Sequence, residues 1–483
     1  MIRPGSFSHS TILLAGVFFA LVLAVSSNSW LWMLAGSTLV AAFWLMGGRR
    51  TYPVLLWVVG LNWLSIIGAI LDAELAGKTL ADTNLGPYRV EAVLCNLCAL
   101  LALAAGIRWG APLRGGAGAI TVQDNSALGG GHAVDLNRAA LAYFASLLLV
   151  ELVGFLAASL PSIQQPLIAL IMLKYICIYL VAAATFKSGR GYFLLLGIIG
   201  IELVTGLTSF FASYKEPIFI VLIALATSGR RLTGRMRFFG AMSALLVVWI
   251  SLMWTVIKPE YRYWVSGYTG EQIIVRSFEE RFKWMADRLV FGEFDYGLAT
   301  TKLVQRIDNT QIYTLLLARM DAGLSPDVPS RFLAGLEHVL MPRFLFPDKA
   351  VLNDSQVTTA MTGRVIHENT SISIGYIAEA HYDFGIPAMF LPVMLIGVTL
   401  GLAARYFMTR NAPLLIRQAF AAGGLFLFFQ FGTNFNKALG SFLVGFIMLA
   451  LVLKFGYPIV AKWLAGSGRA GPSGAAKPYS KPA

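Results

Sequence analysis

Charged residues and cysteine are both scarce in this chain. Only 13% of its 483 residues are Asp, Glu, Lys or Arg, whereas 57% are hydrophobic. The length alone would allow several soluble domains, but long apolar runs exclude that organisation. The three cysteines lie inside those runs. Cys95 and Cys98 have the spacing of a redox pair, but burial as small hydrophobic side chains is the ordinary explanation for cysteines within an apolar helix.

The apolar runs predict membrane-spanning helices. A hydrocarbon core of ~30 Å needs about 20 mostly apolar residues per helix. We predict twelve spans, near residues 11–26, 29–46, 53–71, 90–107, 139–159, 164–186, 191–212, 216–229, 238–257, 386–404, 413–432 and 441–457. The first is followed at once by a second, which indicates an uncleaved helix rather than a signal peptide. Because only helices and closed barrels satisfy their backbone in lipid, the predicted fold class is an all-α polytopic membrane protein.

The basic residues predict the orientation. If the N-terminus is cytoplasmic and the spans alternate, the cytoplasmic segments hold 20 Lys and Arg residues and the short outer loops hold four. This asymmetry predicts that both termini are cytoplasmic. The net charge of +13 is then explained by a cytoplasmic girdle, and nucleic-acid binding is not predicted.

One outer segment, residues 258–384, interrupts the spans. It lies between a predicted bundle over 1–257 and the last three spans over 385–457, and it holds 16 of the 25 acidic residues. A loop this long normally has its own structure or a function. The Gly-rich loop at 114–132 and the cytoplasmic tail at 458–483 are predicted to be disordered.

Apolar periodicity predicts short amphipathic helices within the outer segment, over 270–291, 303–320 and 329–342. We expect them to lie over the outer mouth of the bundle. A Pro-punctuated extended stretch follows them, and residues 371–385 then lead back into the membrane.

Three charges fall deep inside predicted spans, away from the span ends, and intramembrane charges are functional by default. Glu151 and Lys174 lie at matching depths in adjacent antiparallel spans, and Glu202 lies in the next span. We predict a structural ion pair between Glu151 and Lys174, with a proton or ion pathway as the alternative.

Metal and covalent motifs are missing. Glu368 follows His367, but the H-E-x-x-H spacing is not completed. Glu379, His381 and Asp383 would alternate as ligands only on a strand, and this region is predicted to be helical. A G-x-S-x-G nucleophile motif is also lacking. We therefore predict no metal site.

What the outer segment does contain is spaced arginines beside proton acceptors. A guanidinium fork matches the geometry of phosphate, and a neighbouring base suits activation of a hydroxyl group. The ordinary alternative for each arginine is a solvated face. The candidate residues are Arg319, Arg331, Arg343 and Arg364 with the possible bases His367, Glu368, His381 and Asp383.

The layout resembles a known family. The twelve spans, the large outer loop before the last three, and the stretches LMPRFLFPDKAVLNDS (340–355) and SISIGYIAEAHYDFG (371–385) resemble the Wzy-type polymerases of bacterial O-antigen and exopolysaccharide, which are similar in plan to the O-antigen ligases. Some members carry R-x(10)-G in outer loops, a spacing that Arg281 to Gly292 and Arg364 to Gly375 match.

The resemblance implies a GT-C-type glycosyltransferase of the bacterial inner membrane. Its substrates would be oligosaccharides linked to undecaprenyl diphosphate, with no nucleotide sugar, metal or cofactor, and its partners a chain-length regulator and a flippase. The arginines and Lys215 would stabilise the diphosphate, while one of the candidate bases takes the acceptor proton. A ligase acting on lipid A core or protein, a flippase and a structural scaffold are the alternatives. The 29 charges of the outer segment, against three deep in the spans, favour chemistry at the outer face.

Overall fold

A computed structural model gives the structure of the protein. It describes residues 23–48, 51–111, 134–210, 213–228, 234–324, 328–341, 345–346, 353–366 and 372–465. The Gly-rich loop, the tail beyond residue 465 and most of the first predicted span lie outside the described residues. Within the described ranges the secondary structure is helical, without strands.

The described residues form nineteen α-helices. In chain order they are α1 (Ser29–Leu45), α2 (Pro53–Leu75), α3 (Gly86–Gly110), α4 (Leu136–Ser159), α5 (Gln164–Ala169), α6 (Met172–Ser188), α7 (Tyr192–Leu207), α8 (Glu216–Thr227), α9 (Gly234–Val265), α10 (Phe278–Phe291), α11 (Tyr296–Ile307), α12 (Thr310–Asp321), α13 (Arg331–Leu340), α14 (Asp354–Thr362), α15 (Tyr376–Phe384), α16 (Phe390–Thr409), α17 (Leu414–Leu425), α18 (Phe435–Leu451) and α19 (Tyr457–Ala465).

Six helical runs in the described part are long and apolar enough to cross a membrane: α2, α3, α4, the pair α5 and α6, α16, and α18 continued by α19. Shorter apolar helices are α1, α7, α8 and α17. This confirms an all-helical chain with the character of a membrane protein. The count of twelve spans, the GT-C architecture, the domain limits and the cytoplasmic termini stay predictions.

Close helix packing forms the centre of the bundle. Gly106 and Gly110 of α3 face Gly397 and Gly401 of α16 across the contact. A Cβ atom at Gly106 would lie 2.0 Å from the carbonyl oxygen of Met394. The small-xxx-small spacing on both helices therefore lets the two backbones touch, which is how spans associate where no hydrophobic effect drives them together.

The charges inside the spans pair differently from the prediction. Lys174 donates to the Glu202 carboxylate at 2.8 Å, and the Tyr143 hydroxyl donates to the same carboxylate at 2.8 Å. Glu151 is exposed on the surface of α4. The predicted partner for Lys174 is therefore wrong, because α7 presents Glu202 to α6 at the level where α4 presents Tyr143.

The outer segment is helical, but its helices are shorter than predicted. The 270–291 helix begins at Phe278, where Ser277 and Glu280 form a reciprocal capping box. The 303–320 helix is two helices, α11 and α12, that meet at the buried Asp308. The predicted 329–342 helix is α13, with Ser330 as its N-cap.

Candidate functional site

Six of the nine predicted site residues lie in the described part of the chain. Arg343, His367 and Glu368 lie outside the described residues, so their predicted roles stay predictions. The structure places five of the six others on or beside helices α12 to α15. They are Arg319, Arg331, Arg364, His381 and Asp383.

Helix α15 divides its polar residues between two faces. Residues four apart lie on the same face of a helix, and the residue midway between them points to the opposite side. Glu379 and Asp383 accordingly both contact the start of α13, whereas His381 contacts α12. On a strand, the alternating spacing would place these three side chains on one face, as metal ligands. On this helix, the same spacing separates His381 from Glu379 and Asp383.

His381 faces Tyr313 of α12. The Nδ1 atom of His381 and the hydroxyl oxygen of Tyr313 are 2.6 Å apart, and both side chains are buried. The two rings also meet edge to face. Burial lowers the pKa of His381 below its usual 6.5 and raises the pKa of Tyr313. The pair therefore favours a neutral imidazole and a neutral phenol at pH 7.

The other face of α15 holds a buried carboxylate. Glu379 accepts a hydrogen bond from the backbone N–H of Phe435 at 2.7 Å, at the first residue of α18. Its second oxygen lies 3.5 Å from Nε of Arg331, which is itself buried. Burial raises the pKa of Glu379 to about 7, although both contacts oppose that shift. Arg331 is thus engaged with Glu379.

Asp383 caps helix α13. Its carboxylate accepts from the Ser330 hydroxyl at 2.8 Å, from the Arg331 backbone N–H at 3.0 Å and from the Phe332 backbone N–H at 2.7 Å. These are the amides that the first turn of a helix leaves without intrahelical partners. A carboxylate is also favoured there by the helix dipole. The contacts describe a helix cap, and the predicted role as a base is not tested by them.

Arg319 lies near the end of α12, and Arg364 lies just beyond the end of α14. The Arg319 guanidinium packs against Gly363, so closely that a Cβ atom there would lie 2.5 Å from its terminal nitrogen. Nε of Arg319 donates to the Leu324 carbonyl at 3.1 Å. Arg364 follows Gly363 directly and is exposed. The left-handed conformation of Gly363, with φ of 72°, ends α14, so Arg364 is the first residue beyond that helix cap.

A buried ion network holds the start of α12 to the bundle. The Asp308 carboxylate accepts from Arg89 of α3 at 2.9 Å and from the Thr310 backbone N–H at 2.8 Å. Arg89 also donates to Asp72 of α2 at 3.0 Å. Gly68 of α2 leaves room for this packing, since a Cβ atom there would lie 2.9 Å from Cα of Asp308. The helix carrying Tyr313 and Arg319 is therefore fixed by contacts that reach into the bundle.

Lys215 lies apart from this group, immediately before α8 and beside basic residues of α9 and α11. Sequence reasoning missed Tyr313 and Asp308, because both act through partners more than 60 positions away in the chain. It also considered Glu379 only as a metal ligand. Within the described ranges, no group of three or more His, Cys, Asp and Glu residues could hold a metal ion.

Comparisons with protein-family models, with characterised proteins and with solved structures found no match to this chain.

Proposed function

We propose that the protein is a polysaccharide polymerase that transfers a growing glycan from undecaprenyl diphosphate to the next lipid-linked repeat unit, at the outer face of the inner membrane. The acceptor hydroxyl gives its proton to His381, and its oxygen forms a bond to C1 of the donor sugar. The bond between C1 and the phosphate oxygen breaks, and the electron pair leaves with the diphosphate. Arg319 and Arg364 stabilise the charge that develops there.

The observation that best supports this proposal is the hydrogen bond between His381 and Tyr313. If Nδ1 carries the ring proton and donates to the Tyr313 oxygen, Nε2 keeps its lone pair. Among the described residues, Tyr313 is the hydrogen-bond partner of this ring. In that tautomer the ring can accept a proton through Nε2, and its lowered pKa keeps it neutral at pH 7.

The substrate class is supported by the chemistry of the surrounding residues and by the resemblance of the sequence. A guanidinium fork binds two phosphate oxygens at once, and two arginines adjoin Gly363 at one end of α12. A diphosphate is a weakly basic leaving group, so the reaction needs a base but no general acid.

The test is polymerisation of purified lipid-linked repeat units by the purified chain, with product length measured on a gel. His381→Gln should lower turnover by roughly 100- to 10,000-fold, the usual contribution of a general base. His338→Gln is the matched control, because His338 lies in the same outer segment on α13. We expect it to polymerise like the parent.

Parent-like polymerisation by a folded His381→Gln variant would overturn the assignment of the base. The products separate the remaining candidates. A single glycan transferred to lipid A core or to protein would identify a ligase, and movement of lipid-linked units across vesicles without new glycosidic bonds would identify a flippase.

A further inference from the structure

A second group of basic residues lies on helices α8, α9 and α11, apart from His381. Lys215 precedes α8, Lys258 and Arg262 lie on α9 beyond its predicted span, and Arg306 lies in the last turn of α11. We refer to these four residues as the basic cluster. Helices α9 and α11 pack against each other, and the charge of Arg306 on α11 acts on Lys258 and Arg262 of α9.

The members of the basic cluster repel one another. Burial, followed by the charges of Arg306, Arg262 and Lys215, lowers the pKa of Lys258 to about 8. Burial and Arg306 also lower the pKa of Arg262 and of Lys215, whereas Glu216 acts on Lys215 in the opposite direction. Like charges gathered at one place are unfavourable by themselves, so the cluster suits a multiply charged anion.

Space for a headgroup adjoins the cluster. A cavity of about 200 Å³ is lined by Arg262, its neighbours Pro259 and Tyr263, and three further residues, Phe210, Gly270 and Gln272. Arg262 is held at this cavity by a hydrogen bond from Nε to the Phe210 carbonyl at 3.1 Å and by packing over the Phe210 ring.

An apolar groove lies on the bundle surface along the second half of α8. It lies between α2 and α8, has a volume of about 440 Å³ and is lined by Pro53, Leu56, Trp57, Gly60, Leu61, Leu64, Leu222, Ile223 and Ala226. Lys215 is seven residues before Leu222, which is about 10 Å along a helix axis. Along α8, the basic residue Lys215 therefore comes first and the apolar lining of the groove follows. An anionic lipid with a long tail requires this order.

We infer that the basic cluster and this groove bind the polyprenyl diphosphate of the acceptor, with the diphosphate on the cluster and the isoprenoid tail in the groove. The inference rests on the proposed function. It adds a second lipid site to the one at Arg319 and Arg364.

The geometry of the reaction assigns this site to the acceptor. The donor's diphosphate is the leaving group, so it must lie at the reacting carbon, close to the base. The acceptor's diphosphate is separated from its reacting hydroxyl by the sugars of one repeat unit. In the described part of the chain, α15 packs against α13 and α16, whereas α9 and α11 pack against each other. The chain passes from Arg306 to Tyr313 through the buried Asp308. A site removed from His381 is therefore suited to the lipid end of the acceptor.

The first experiment counts bound lipids by native mass spectrometry of the full chain in detergent, with undecaprenyl diphosphate as the probe. We expect two lipids on the parent protein. The Lys215→Ala/Lys258→Ala double variant should lose one, with roughly 100-fold weaker binding at that site, since one contact to a charged group contributes about tenfold. Lys302→Ala, on the same helix as Arg306, is the control and should keep both lipids.

The second experiment blocks the groove. Gly60 lines it, and no atom lies within 4 Å of the position of a Cβ atom there. Gly60→Leu should therefore fold and should exclude the tail, weakening binding of undecaprenyl diphosphate at least tenfold without changing binding of inorganic diphosphate. Gly197→Leu is the matched control, because Gly197 of α7 has equally open surroundings but lies outside the groove.

The result that overturns the inference is a double variant that still binds two lipids with parental affinity. Equal occupancy by phosphatidylglycerol would also overturn it, because the groove would then hold annular lipid only. Failure of the proposed function looks different: the cluster variant loses one lipid, but no condition yields glycosyl transfer and His381→Gln changes nothing.

Discussion

Removing the Asp383 carboxylate should loosen helix α13. In Asp383→Ala, the Ser330 hydroxyl and the backbone N–H groups of Arg331 and Phe332 all lose the acceptor that they share. The two amides belong to the first turn of the helix, where no carbonyl of the helix itself can replace the carboxylate. Helix α13 should therefore open more often, while the rest of the bundle keeps its structure.

The cost follows from the number and type of these bonds. A hydrogen bond to a charged group contributes about 1.5–3 kcal/mol, and loss of a helix cap costs about 1 kcal/mol. The three contributions do not add fully, because Asp383 is only half-buried and water can reach the freed groups. We therefore expect local opening of α13 to become easier by about 2–4 kcal/mol, which corresponds to a roughly 30- to 1000-fold increase in its opening constant.

Hydrogen exchange measures this opening directly. Peptides covering 330–341 should exchange faster by that factor in Asp383→Ala, and peptides from α3 should not change. Asp287→Ala is the control, because Asp287 is an exposed carboxylate in the same outer segment. Unchanged exchange in α13 together with lost polymerisation would refute the cap and would support the base that the sequence predicted.

Further outcomes concern the site and its conditions. The polymerisation rate should fall only as pH drops below about 6.5, because burial lowers the pKa of His381 and keeps it a proton acceptor to lower pH. A step in the pH profile near pH 7 would come from Glu379 and should vanish in Glu379→Gln. Arg364→Ala should lower turnover roughly 100- to 1000-fold with lipid extraction and folding intact, and Arg364→Lys should recover only part of it. Polymerisation should survive excess EDTA; recovery of lost activity by a divalent cation would instead reveal a metal site. Lys174→Met should destabilise the protein by about 3–5 kcal/mol, since it leaves Glu202 buried without its cation, and Glu151→Gln should have little effect on thermal unfolding.

The positions of the apolar helices could be predicted from the sequence because hydropathy and helix boundaries carry the information locally. Pro53 begins α2 at the first helical position, where its missing N–H costs nothing. The start of α10 could also have been predicted from the sequence, since Ser277 and Glu280 have the spacing of a capping box. The sequence prediction began that helix eight residues too early because apolar Ile274 continues its periodicity, although Ile274 is exposed and precedes the helix.

The break at Asp308 could not be predicted from local pattern. The apolar spacing of 303–320 fits one helix, but Asp308 is drawn into the bundle by Arg89 and accepts from Thr310. Tertiary contact with α2 and α3 therefore overrides local propensity. The pairing of Lys174 was missed for a similar reason: matching depth names two possible acids, and only the packing of α6 against α7 selects Glu202.

Part of the site could be predicted because residue chemistry limits the choices. A His in a membrane-proximal segment with several arginines is a good candidate base, and His381 lies at such a position. What the sequence could not supply is the partition of α15 between two neighbours. Glu379 and Asp383 face α13 and stabilise it, whereas His381 faces Tyr313, and this distinction depends on which helices lie on each side.

The outer segment depends on the bundle for its structure. Three of its buried acidic residues are satisfied by groups outside it: Asp308 by Arg89, Asp354 by Asn434 and Lys437, and Glu379 by the first amide of α18. Buried charges without partners are costly, so these helices gain their stability only in contact with the spans. The same contacts fix α12 and α15 relative to the apolar helices α3 and α18. In the proposed reaction, whose two lipid substrates are held by their tails, a base fixed relative to the membrane meets the acceptor at a constant depth. Under the proposed function, that constancy favours a site on helices tied to the apolar bundle over a site on an independent domain.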